Sequence, residues 1–189
     1  MTSRTLSGLL LVSSPVIMIV FWFLLGPDGA DVVSMKYAYS MGTFGLLCTV
    51  AGFSLVKDDM ANGAGSHYAR VGILFMVIGM GVGTVEAALE IVSAEAASPE
   101  HTALFAGAAE GIGSLTTAFA MLGFAVVGIA FLVQKNFPII LSALMTLVGI
   151  IGVAGAATSY DNENVMMVPY IGMMSITLAF GIVRLRTKE

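Results

Sequence analysis

Six apolar runs, near residues 7–26, 38–56, 71–93, 103–133, 138–158 and 165–183, follow one another with only short polar separators between them. Each is long enough to cross a hydrocarbon core of roughly 30 Å, because a helix rises about 1.5 Å per residue. Lipid offers an exposed backbone no hydrogen-bond partners, so each run is expected to be a helix. The separators GPDGADVVSMK, KDDMANGAGSHYAR, SAEAASPEH, QKNFP and SYDNENV hold charges or turn formers that are costly in hydrocarbon. The expected fold class is therefore all-α, a compact bundle of six transmembrane helices making one polytopic domain over residues 1–189.

Charge supports this reading. Only 11% of residues are charged and 58% are hydrophobic, whereas a soluble domain carries about 25% charged residues. No basic tract suits nucleic acid. Cys48 is the single cysteine, which excludes an intrachain disulfide. The first run follows Arg4 as a signal peptide would, but its apolar core exceeds the usual length of about 7 to 15 residues. It is expected to be retained as the first span.

Basic residues mark the cytoplasmic side of a membrane protein. In a six-span arrangement Arg4, Lys57, Arg70, Lys135, Arg184, Arg186 and Lys188 fall on one side, leaving Lys36 alone on the other. Both termini are thus expected in the cytoplasm, with the protein a multi-pass component of the cell membrane. The opposite side gathers Asp28, Asp31, Glu95, Glu100, Asp161 and Glu163. Trp22, Phe23, Tyr37, Tyr39, Tyr68, Tyr160 and Tyr170 stand at span ends, where amphipathic rings favour the headgroup region. Glycines inside the spans are expected to let helix backbones approach closely. The even-numbered spans also echo each other, GLLCTVAGFSLVK against GFAVVGIAFLVQK, each running to Phe, then Leu-Val, then Lys.

Against this background the stretch GVGTVEAALE stands out, with Glu86 and Glu90 one turn apart. Measured from Arg70, Glu86 lies roughly 24 Å and Glu90 roughly 30 Å along the helix, so Glu86 is immersed and Glu90 is interfacial. Glu110 on the fourth span is expected to be the companion of Glu86 across the hairpin. Ser114 and Thr117 follow Glu110 on the same helical face, with Thr116 adjacent, giving a polar stripe that an ion or proton path needs. Glu86, Glu90, Glu110, Ser114 and Thr117 are therefore the candidate ion- or proton-binding residues. The competing reading is a protonated Glu86 acting as interhelical glue.

Signals for other chemistry are thin. His67 and His101 fall on opposite sides of the membrane, which argues against a shared haem, and no cofactor is expected. His101 with Glu100 and Glu95 forms a weak candidate metal set, against a solvated loop histidine. The 13 methionines read as flexible packing. No nucleophile, histidine and acid align at one depth and no HExxH pattern occurs, so catalysis finds little support. Two functions remain: a small ion- or proton-coupled transporter or channel-like protein with an outward-facing carboxylate site, and a non-catalytic accessory or scaffold subunit of a larger membrane complex. The expected partners are the lipid bilayer and, through the glycine-rich faces, a second copy or a partner membrane subunit.

Overall fold

Helix ends are set by short polar side chains that take up the first unpaired backbone N–H groups. The Thr2 hydroxyl accepts from Thr5 N, the Asp31 carboxylate from Val33 N and Ser34 N, and the Ser98 hydroxyl from His101 N, with Pro99 next in the first turn. These bonds hold Asp31 below the usual carboxylate range. The computed structural model describes residues 1–24 and 31–186. Within them run α1 (Ser3–Met18), continued by a π-helical turn over Ile19–Leu24, then α2 (Val32–Asp58), α3 (Ser66–Glu95), α4 (Pro99–Gln134), α5 (Ile139–Thr158) and α6 (Glu163–Arg186). All six are long and apolar enough to cross a membrane, matching the six expected spans. α2, α3, α4 and α6 overrun their apolar runs at both ends because polar turns and caps lie outside the hydrocarbon-length core, whereas α5 stays within its run. Asp28 and Lys188, and the side chains of Phe23 and Glu163, lie outside the described residues.

The helices form a ring. Each packs on its neighbours in sequence, and α1 closes the ring against α6. Short loops force this antiparallel arrangement. Small residues set the spacing: a Cβ on Gly72 of α3 would stand 2.9 Å from Gly123 O, and one on Gly123 of α4 would stand 2.6 Å from Gly72 O. No larger side chain fits at either position without moving a backbone. Between α1 and α2, Ser14 and Thr49 share a buried hydroxyl hydrogen bond, worth about 0.6 kcal/mol inside a membrane bundle.

Two ends of the ring are distinguished by their side chains. At one, Arg4 Nε donates to Arg184 O at 3.2 Å, Arg184 Nε donates to Ser7 Oγ at 3.0 Å, and the Arg184 guanidinium pairs with Asp59. Gly65 N donates to Gln134 Oε1 at 2.9 Å there, tying the α2–α3 loop to the end of α4. At the other, Lys36 of α2 pairs with Glu95 of α3 at 2.5 Å, and Ser93 Oγ donates to Thr102 O at 3.0 Å. Lys36, isolated in the sequence-level arrangement, thus has an acidic partner.

The half of the bundle nearer Arg184 is filled by phenyl rings. Phe53, Phe124, Phe131 and Phe180 are each no more than 1% exposed. Ring centroids lie 5.9 Å apart for Phe53 and Phe180, 5.0 Å for Phe131 and Phe180, and 4.7 Å for Phe131 and Phe137. Phe53 and Phe131, the equivalent residues of the echoed spans, meet at 6.1 Å.

Candidate functional site

The opposite half is open. Glu86 projects from α3 toward the interior and lines a cavity of about 80 Å³, room for two or three waters at about 30 Å³ each. α2 contributes Tyr39 and Thr43 to its wall, α4 Thr116 and Thr117, α6 Tyr170, and the π-helical turn Trp22. The π turn comes four residues after Pro15, which lacks the N–H an α-helix would use. Trp22 there lies against α2, where a Cβ on Gly42 would fall on the indole. Trp22 and Tyr170 both pack against the core. Their placement corrects the reading of these rings as headgroup anchors. An amphipathic ring at a span end suits an inward polar cavity as well as it suits the interface, and here the cavity takes it. Tyr37 and Tyr68, by contrast, are 64% and 48% exposed.

The carboxylate has defined neighbours. Tyr160, in the α5–α6 loop, donates its hydroxyl to Glu86 Oε1 at 3.2 Å, and the Thr116 hydroxyl lies beside the same carboxylate. Burial pushes the Tyr160 phenol above the usual tyrosine range, and nearby Tyr170 and Glu86 reinforce this. Tyr160 therefore stays a protonated donor across the physiological range. The bond exists because residue 113 is glycine: a Cβ there would fall on the Tyr160 hydroxyl and 2.6 Å from Glu86 Oε1. Thr117 and Tyr170 share a hydrogen bond of 2.5 Å on the next turn inward. Among the described residues lining the cavity, Glu86 is the one acid and there is no Lys, Arg or His.

The five candidate residues are not gathered together. Glu86 and Thr117 line the cavity, whereas Glu110 and Ser114 line a separate open groove with Tyr160 and Asp161 at the α5 end. Glu110 is exposed, and Ser114 Oγ donates to Ala156 O at 3.1 Å. The partner of Glu86 is thus Tyr160 rather than Glu110. The expected inward stripe is divided, because Glu110 and Ser114 lie on the side of α4 that meets α5, and Thr117, with Thr116 beside it, turns far enough to reach the cavity. Glu90, one turn outward, is partly exposed and is not part of the cavity lining.

The metal candidates are dispersed as well. Glu95 is engaged by Lys36, and among the described residues no group of three His, Cys, Asp or Glu side chains forms. Glu100 and His101 belong to the first turn of α4 rather than to a loop. Ser98 and Pro99 start that helix earlier than the apolar pattern suggests.

Tyr160 was missed from sequence, since a loop tyrosine gives no sign of folding back across two helices. The signal that existed was EGIG, a glycine three residues after an acid in a helix facing Glu86. No family model matches the chain, and neither the curated proteins nor the solved structures contain a match to it.

Proposed function

We propose that this is a small multi-pass membrane protein that binds a monovalent cation or a proton at Glu86 and carries it across the cell membrane. The observation that carries this reading is the cavity itself. A carboxylate sits inside a bundle of membrane-length helices with hydroxyl groups around it and no basic residue among the described lining. Intramembrane acids of this kind mark ion and proton pathways, because leaving one uncompensated in hydrocarbon is expensive. The clustering of Arg4, Arg184 and Lys57 at the phenyl-packed end supports an orientation with both termini cytoplasmic. The cavity then lies in the outer half, and the rings of Phe53, Phe131 and Phe180 close the inner half.

The test is flux in reconstituted vesicles. Purified protein in liposomes should move protons or a monovalent cation down an imposed gradient, and Glu86→Gln should reduce the rate at least about tenfold. Glu110→Gln, which alters the separate groove, should have the smaller effect. No flux above protein-free vesicles for any common monovalent ion, or flux indifferent to Glu86→Gln, would overturn the reading.

A second reading, a non-transporting subunit of a larger membrane complex, draws on α4. Ala103, Gly107 and Gly111 repeat every fourth residue on an exposed face, and nothing lies within 4 Å of where a Cβ on either glycine would stand. Such a face lets another helix approach closely. Cross-linking from a cysteine introduced at Ala103, with loss of the product in Gly107→Leu, distinguishes this association from a solitary bundle.

A further inference from the structure

The surroundings of a carboxylate decide which cation it prefers. A hard divalent ion takes about six to eight oxygen ligands and several negative charges, and Glu86 is the one acid on the described lining. What the cavity has instead is aromatic surface. Trp22, Tyr39 and Tyr170 come from three different segments and converge on the same space, together with Met121 and Met173. Aromatic rings attract cations through their quadrupole, most strongly where water is excluded, and alkylated ammonium ions are the cations such cages recognise. Methionines offer polarizable, adaptable contact to the alkyl groups.

Resting on the reading of Glu86 as a cation site, we propose that the cavity binds a small alkylammonium ion, with its charge opposite Glu86 and its alkyl groups among Trp22, Tyr39 and Tyr170. Size limits the class. The cavity measures about 80 Å³, against about 150 Å³ for an engineered apolar cavity that admits benzene, so the ligand carries only a few carbons. Tyr160 keeps Glu86 in place from the outer side through its 3.2 Å hydrogen bond. Gly113 leaves the room for that bond. The rings and thioethers contact alkyl groups that sodium and potassium lack, so an alkylammonium ion gains contacts that an alkali ion forgoes.

Trp22 is the chain's single tryptophan, so its fluorescence reports directly on the cavity. Dimethylammonium chloride, whose three heavy atoms suit the cavity, is titrated into the purified protein in detergent, with sodium chloride and potassium chloride at matched ionic strength. The expected result is a saturable change in emission with dimethylammonium, at a concentration at least about tenfold below any response to either alkali salt. Glu86→Gln should weaken binding at least about tenfold, and Tyr39→Leu several-fold, while Tyr39→Phe, which keeps the ring, retains it. Retention in Tyr39→Phe with loss in Tyr39→Leu separates ring recognition from a packing defect. Equal responses to sodium and dimethylammonium, or binding unaffected by Tyr39→Leu in a folded variant, overturn the alkylammonium assignment. No response to dimethylammonium alongside Glu86-dependent proton or sodium flux overturns it too, while leaving the carrier reading standing. The absence of both signals removes both.

Discussion

The two halves of this bundle are built from the same kind of material and do opposite things with it. Toward Arg184 the interior is phenyl on phenyl, with Phe53, Phe131 and Phe180 each no more than 1% exposed. Toward Glu95 the rings are Trp22, Tyr39 and Tyr170, and the interior is a cavity with a carboxylate in its wall. A phenyl ring has no hydrogen-bond demand and fills space to high density. A tyrosine or tryptophan must find a partner for its polar atom, and for Tyr170 the structure meets that demand with Thr117. A hydroxyl or indole on a ring thus decides whether an aromatic layer closes the bundle interior or opens a polar site in it.

The largest effect expected from breaking this contrast is in the sealed half. Phe131 meets Phe53, Phe137 and Phe180, and Phe131→Ala removes the ring that joins all three. Truncating a buried phenylalanine costs about 3 to 5 kcal/mol. Thermal unfolding of the purified protein should show a large loss of stability, with the Trp22 emission maximum of the folded state unchanged because Trp22 stands in the other half. A shift in both would mean that the halves are not separable.

A smaller effect is expected in the open half from Tyr160→Phe. The substitution removes one hydrogen bond to Glu86, worth about 0.5 to 1.5 kcal/mol. It also carries a pH signature. Burial raises the Tyr160 phenol above its ordinary value, which is about 10 when unfolded. Its contribution is therefore complete below about pH 10 and is lost as pH rises toward the folded-state value. Unfolding temperatures from pH 8 to 11 should show the wild type falling faster than Tyr160→Phe above about pH 10, so that the gap between them closes. Parallel curves would mean that Tyr160 is not the buried donor.

How much of this contrast was legible in the sequence depends on direction. The extent of each helix was readable, since hydropathy and the polar separators place six helices long and apolar enough to cross a membrane. Azimuth was not. A helix that is apolar all round carries no stripe to say which side faces lipid, so Glu86 and Glu110 looked like partners when α4 turns Glu110 toward α5. The same ambiguity hid Trp22 and Tyr170, whose rings satisfy an interface and a cavity equally well. The Tyr160 contact depends on a loop folding back over Gly113, a long-range relation that no local pattern encodes.

The ends of the ring repeat the contrast in ionic form. The sealed end is tied by Arg184, whose side chain is 11% exposed and touches Asp59 and Ser7. The open end is tied by Lys36 and Glu95, whose side chains are 48% and 47% exposed. Water screens an exposed pair, and such pairs contribute about 0.2 to 1 kcal/mol. Lys36→Ala should therefore barely change the unfolding temperature, and the change should vanish at about 1 M salt, where the screening length is about 3 Å. What it should change is access. With α2 and α3 untied beside the cavity, acrylamide should quench Trp22 faster in Lys36→Ala than in wild type at low salt, and equally at high salt. Quenching unaffected by the substitution would mean that the Lys36–Glu95 pair does not guard the cavity, and that the route to Glu86 runs past Tyr160 instead.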